Sequence, residues 1–185
     1  MLPEIIFFSI LSIFILIIRN RKINFTDIKL EIKGYKILIA VAVIEITAEY
    51  LYGNFSHNNL LRILSLNWLI YLALIIVSTL NFKKTFMKLL LIGTLLNFIA
   101  IASNDFKMPV LVSDLLANAD ANRLYLGTGQ DLIHSLLTED TKFKMLCDVI
   151  TLASPYPFPK SISIGDIFLF LGVFVFWQEL PRYTK

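Results

Sequence analysis

Two glutamates four residues apart, Glu45 and Glu49, lie inside an apolar run of this 185-residue chain. Residues four apart share one helix face, so both carboxylates point the same way. An ionised group in mid-membrane costs at least about 2.5–3.5 kcal/mol on insertion scales, so such a pair faces protein or water. Partners follow from symmetry about the next connection, centred near Ser56. Glu49 lies seven residues before that centre and Arg62 six after it; Glu45 lies eleven before and Asn67 eleven after. The spacing predicts a Glu49–Arg62 ion pair and a Glu45–Asn67 hydrogen bond that hold a helical hairpin together. The other chemistry open to these carboxylates is a site for a cation, a proton or a substrate amine.

A second set of polar residues lies further along: Asn97, Asn104, Lys107, His134, Asp148 and Asp166. Asn97 and Asn104 are seven apart and share a helix face. Asn97 suits interhelical hydrogen bonding. His57 and His134 have no carboxylates at metal-ligand spacing, so they are poor zinc candidates. Cys147 is the single cysteine, which rules out an internal disulfide and a cysteine metal cluster. There is no H-E-x-x-H and no glycine-rich phosphate loop. A Ser-His-Asp set can be drawn from almost any loop of this size. No catalytic residue, metal site or cofactor is therefore assigned.

The elements that position these groups are apolar. Hydrophobic residues make up 57% of the chain and mean hydropathy is +0.72, against about 45–50% apolar residues in soluble domains. The excess gathers in five segments, Leu2–Ile18, Lys36–Tyr52, Leu60–Leu80, Phe86–Ser103 and Ile162–Leu180. Each approaches the roughly 17–25 residues that cross a hydrocarbon core of about 30 Å. They are apolar nearly all round, without barrel-like alternation, so they predict an all-α integral membrane protein with five transmembrane helices. The whole chain, residues 1–185, reads as one membrane domain. Residues 104–161 form an external, structured, lid-like insertion between the fourth and fifth helices.

Charge orients the bundle. The first connection carries Arg19, Arg21, Lys22, Lys29, Lys33 and Lys36, and the third carries Lys83, Lys84 and Lys88. The second, Gly53–Asn59, carries no Lys or Arg, and the tail carries Arg182 and Lys185. Short basic connections stay in the cytoplasm, so the N-terminus is outside and the C-terminus inside. The net charge of +3 is topogenic and does not indicate nucleic acid. In the first segment the charges follow the apolar run, as in a retained helix and not a cleaved signal.

Within the insertion, Ser113-Asp114 predicts a short helix through about Ala119. Gln130–Leu137 and Met145–Leu152 form two further ordered pieces. Pro155, Pro157 and Pro159 predict a stiff extended run back to the membrane. Ser163 predicts the cap of the last helix, with Asp166 completing a capping box. The alternating Asn20–Tyr35 connection suits an interfacial stretch on anionic headgroups. Asn81, in a cytoplasmic turn, carries no assigned role.

Several stretches taken in order look familiar: Leu95-Leu96-Asn97, Asn104-x-x-Lys107-Met108-Pro109-Val110, His134, Thr138-Glu139-Asp140-Thr141, Leu146-Cys147-Asp148-Val149-Ile150 and Ser163-Ile164-Gly165-Asp166. Together with Arg19-x-x-Lys22-Ile23 this order resembles DUF5317, an uncharacterised family of bacterial multi-pass membrane proteins. The family pattern has Asn-Gly-Gly-x-Met-Pro-Val, where this chain has Asp105-Phe106 in place of Gly-Gly, and a glycine where it has Cys147. Phenylalanine adopts positive φ poorly, which argues against a tight positive-φ turn after Asn104. The resemblance implies an architecture and a bacterial cytoplasmic-membrane location, with no activity to transfer.

Three functions follow in order of preference. The first is a non-catalytic accessory or transport-type subunit. It would bind a small ligand or a partner, either another membrane protein or a second copy, through its outer loop. The second is a membrane-embedded enzyme acting on a lipid or lipid-linked substrate, with Asp148, Asp166 or His134 as acid–base groups. The third is a transport component that uses the Glu45/Glu49 face.

Overall fold

The computed structural model describes residues 2–20, 28–54, 60, 63 and 68–183. The apolar segments are helical: α1 (Leu2–Ile18), α2 (Tyr35–Asn54), α3 (Trp68–Leu80), α4 (Thr85–Ser103) and α6 (Ile164–Glu179), the last extended by a 3-10 turn at Leu180–Tyr183. The insertion adds α5 (Ala119–Gly127). Among the described residues, three helices are long and apolar enough to cross a membrane: Tyr35–Asn54, Thr85–Ser103 and Ile164–Tyr183. α1 and α3 are apolar but shorter, and part of the expected third segment lies outside the described residues. α2 buries only Glu45 and Ala48, leaving Ile39, Val43 and Ile46 exposed. So much bare apolar helix surface is unfavourable in water and natural in lipid.

The main packing runs in the order α2–α3–α4–α6–α1. Its tightest seam joins α4 to α6. A Cβ on Gly165 would sit 2.7 Å from the Gly93 carbonyl oxygen and 2.0 Å from Asn97 Oδ1. Only glycine lets these backbones approach so closely.

The architecture is mostly helical, and the all-α expectation is corrected by four three-residue strands in the insertion. β1 (Met108–Val110) pairs in parallel with β2 (His134–Leu136). Along the other edge of β1, the Leu111 N–H donates to the Asp148 carbonyl (2.9 Å), and the Asp148 N–H to the Pro109 carbonyl (3.0 Å). β3 (Ile150–Leu152) and β4 (Lys160–Ile162) form an antiparallel hairpin. The proline run is therefore the turn of that hairpin and not an extended strap, because the backbones on either side of it pair. The helix expected after Ser113 is also displaced. Ser113 closes a turn by accepting from the Leu115 N–H (3.2 Å), and Asn118 is left-handed at φ 58°, so helix begins only at Ala119. The expected cap of α6 is present: Ser163 and Asp166 form a capping box.

Each end of the bundle has its own fastening. At one end, Asn81 is almost fully buried. Its carboxamide accepts from the Lys33 N–H (3.0 Å) and donates to the Lys33 carbonyl (2.8 Å). The Lys29 N–H donates to the Tyr183 carbonyl (2.8 Å). Asn81 thus ties the first connection to the α3–α4 turn, a role that its place in a turn did not suggest. At the other end, Glu4 of α1 reaches the hairpin, where Lys160 Nζ lies 2.7 Å from its carboxylate and the Tyr156 hydroxyl also donates to it.

The turn after Asn104 contradicts the expectation drawn from Phe106. Asp105 (φ 55°) and Phe106 (φ 57°) are both left-handed. Asn104 enforces this: its side chain donates to the Ala100 (2.7 Å) and Lys142 (3.0 Å) carbonyls and accepts from the Lys142 N–H (2.9 Å). The Phe106 ring is held against Trp68, with centroids 5.5 Å apart. A left-handed residue other than glycine costs roughly 1–2 kcal/mol, and Asp105 is exposed. Asp105→Gly should therefore raise the melting temperature in detergent by an amount worth about 1 kcal/mol. A fall would show that the aspartate side chain makes a contact that matters more than the strain.

Candidate functional site

The start of α3, the end of α4, the start of α6 and the underside of the insertion line a half-open cavity of about 810 Å³. This is within the roughly 300–1,000 Å³ usual for small-molecule sites. Its walls are mainly apolar, including Ile101, Met108, Val110 and Leu169. Part of the wall is a core shared by insertion and bundle: Ala100, Ile101, Met108 and Cys147 are buried together, with Tyr71 packed on them. The insertion is thus docked on the helices by its own hydrophobic cluster.

Among these walls the polar groups form an ordered set. Asn97, 1% exposed, projects from α4 and joins the start of α6. Its amide nitrogen donates to Asp166 Oδ1 (2.9 Å), and its oxygen accepts from the Ser163 hydroxyl (2.8 Å). The Ser163 hydroxyl in turn accepts from the Asp166 N–H (2.9 Å). Both ends of the Asn97 carboxamide are satisfied, as a buried amide requires. Asp166 sits in the first turn of α6, where the helix dipole favours negative charge.

Asp148 is different. It is 8% exposed, it lines the cavity, and its Oδ1 has no hydrogen-bond partner among the described residues. Burial pushes its carboxyl up to about 8 from an ordinary 3.8, the nearby Asp166 charge adds to the shift, and Lys160 opposes it. Such surroundings favour the protonated form of this carboxyl at neutral pH. Next to it, Cys147 is fully buried. Burial and then the Asp148 charge push its thiol up to about 11, so it is an inert packing residue.

The six polar residues of the outer set divide. Asn97, His134, Asp148 and Asp166 line the cavity. Asn104 and Lys107 instead fasten the insertion: Asn104 grips Lys142 as described, and Lys107 Nζ donates to the carbonyls of Gly129 (3.0 Å) and Asp131. His134 lies 3.6 Å from Asp131. Burial alone would raise the Asp131 carboxyl, but the N–H groups of His134 and Ile133 hold it below its usual value. No group of three or more His, Cys, Asp or Glu able to hold a metal ion occurs among the described residues.

The inner pair also divides. Glu45 is 5% exposed and accepts from the Ile70 N–H of α3 (2.9 Å). It thereby ties α2 to the first turn of α3; the expected partner Asn67 lies outside the described residues. Glu49 is exposed. Its expected partner Arg62, like Asn67, lies outside the described residues. Two residues escaped the sequence reading. Tyr71 was hidden in an apolar run that its ring fits. Glu4 gave the same signal as Glu45, an ionisable residue in an apolar segment, but stood too near the chain's start to read as intramembrane.

No solved structure matches this chain. An uncharacterized protein of Thermotoga maritima is 36% identical over 97 residues, which is 52% of each chain. This chain thus spans about half the length of that relative. A family model described as a family of unknown function, DUF5317, matches residues 29–178. With the match covering most of its length, including every residue that lines the cavity, the chain belongs to the DUF5317 family.

Proposed function

We propose that this is a bacterial cytoplasmic-membrane protein of five spans, N-out and C-in. Its outer lid closes over a binding pocket, and it acts by binding a small molecule, without catalysis, as an accessory or transport-type subunit. The observation that carries this is the half-open, apolar-walled cavity with Asp148 at its wall, a buried carboxyl whose Oδ1 has no hydrogen-bond partner among the described residues. A purely structural insertion would fill that space and satisfy that group. Glu45 is occupied by the α3 backbone, so the pocket and not the α2 face supports the reading.

The distribution of charge supports the orientation. The Glu4–Lys160 pair brings the start of α1 to the lid end. Asn81 with Lys33, and Lys29 with Tyr183, bring the basic first connection, the Lys83-Lys84 turn and the tail together at the opposite end. Positive charge gathered at one end supports reading that end as the cytoplasmic one. A membrane-impermeant maleimide applied to intact cells should label a cysteine placed at Met145, which is 71% exposed on the lid. It should leave Lys83→Cys untouched and also miss the native Cys147, buried and poorly ionised. Labelling of Lys83→Cys but not Met145→Cys would reverse the orientation.

Stability separates fastening residues from a binding group. Asn104→Ala strands the Lys142 backbone and should lower stability by about 1–3 kcal/mol. Asp148 should behave the other way. Its proton is bound in the folded state up to about pH 8 and released near 3.8 when unfolded. Its favourable contribution is thus full below pH 4 and is lost as pH rises toward 8, at no more than about 1.4 kcal/mol per pH unit. Asp148→Asn should flatten that decline and melt above the wild type at pH 8, as expected where a binding site is held against stability. If Asp148→Asn melts lower at every pH, the residue is a structural strut and the pocket reading fails.

A further inference from the structure

We propose that the pocket takes an organic cation, an amine-headed molecule with an apolar body whose ammonium group lies against Asp148 beside Asp166. This rests on the reading of the cavity as a binding site and goes on to name the chemical class of its occupant. The first ground is charge. Asp131, Asp148, Asp166 and Lys160 all line the cavity. Lys160 is tied to Glu4 at 2.7 Å, and Asp131 to the N–H groups of its own turn at 2.8 Å. Asp166 therefore sets a negative field at one wall, low-dielectric walls concentrate it, and Asp148 adds a second charge once it gives up its proton. An anionic head would meet both of them.

The second ground is the unmet partner. Asp166 already accepts from Asn97 and closes the α6 cap, whereas Asp148 Oδ1 accepts from nothing among the described residues although the residue is more than nine-tenths buried. A donor that also carries positive charge satisfies the oxygen and offsets the repulsion of the second carboxyl at once. The titratable groups around Asp148 are Asp166 from α6, Lys160 from β4, Tyr71 from α3, and the adjoining Cys147, with Asp131 and His134 across the cavity. Among the described residues the cation closest to Asp148, Lys160, is already bound to Glu4. The third ground is the remainder of the wall. Tyr71, Phe106 and Tyr125 also line it, and aromatic faces attract ammonium groups. A bare metal ion would want six or more oxygens and no apolar wall.

The test uses the full chain in nanodiscs of zwitterionic lipid, with empty nanodiscs as blank. Three probes share one apolar body: 4-phenylbutylamine, 4-phenylbutanol and 4-phenylbutyrate. Calorimetry in two buffers of unlike ionisation heat reads affinity and protons together. The amine should bind at least about tenfold tighter than the alcohol, the gain expected of one charge-assisted bond, with the butyrate weakest. At pH 7 amine binding should release up to one proton to the buffer, as the Asp148 carboxyl gives up its own to face the ammonium; the alcohol should release none. Asp148→Asn should bring the amine down to the alcohol's affinity and abolish the release. If that variant does not fold, proton release by the unaltered protein still decides. Equal binding of amine and alcohol, tighter binding of the butyrate, or amine binding without proton release would overturn the cation assignment and leave the pocket standing. Binding of none of the three would remove the pocket reading and the assignment with it.

Discussion

One carboxamide, that of Asn97, joins two helices that are distant in sequence. It sits where α4 and α6 approach through Gly93 and Gly165, too close for any side chain between them. It holds Ser163 with its oxygen and Asp166 with its nitrogen. Those two residues are the cap of α6, so the amide fixes where that helix begins. β4 ends immediately before Ser163, at Ile162. The cap thus sets the height of the β3–β4 hairpin, and with it Lys160 and the fastening to α1. Breaking such a bridge leaves several buried polar atoms unpaired in surroundings where water is scarce, which costs more than the bonds themselves are worth.

The same geometry produces the chemistry. Asp166 is spent on the cap, with its charge retained at the positive end of α6. Asp148 is brought to the same cavity by β1, which pairs with His134–Leu136 on one side and binds the Asp148 backbone on the other. Its main chain is satisfied, and its Oδ1 has no partner among the described residues. The backbone thus delivers a carboxyl to an apolar wall, next to a second carboxyl. The hydrophobic cluster shared by insertion and bundle holds that arrangement in place.

Helices and their ends were the legible part of the sequence, since unbroken apolar runs leave a membrane chain few alternatives. Leu2–Ile18 matches α1 residue for residue, and the Ser163–Asp166 spacing marked a capping box that is present. Asn97, Asp148 and Asp166 were legible as candidates because polar groups beside apolar runs stand out. Less legible was everything set by long-range pairing. The three-residue strands are too short for a periodic signal, and the proline run reads as extended until its flanks are known to pair. Asp105 and Phe106 take a left-handed turn that their own preferences oppose, because Asn104 and the Trp68–Phe106 contact hold it. The division of labour within the outer set, with Asn104 and Lys107 fastening and Asp148 left open, was invisible for the same reason: it depends on Lys142, Gly129 and Asp131, each more than twenty residues away from its partner.

The buried bridge between α4 and α6 is most directly tested by a double-mutant cycle on Asn97→Ala and Asp166→Ala, read by reversible unfolding of the full chain in detergent. Residues that share one hydrogen-bond network couple by about 0.5–3 kcal/mol. The account predicts that either substitution alone removes most of the stability that the bridge supplies, so the double variant loses clearly less than the two single losses added. Strict additivity would contradict it, because it would mean that the two side chains do not meet and that the start of α6 is held by something else.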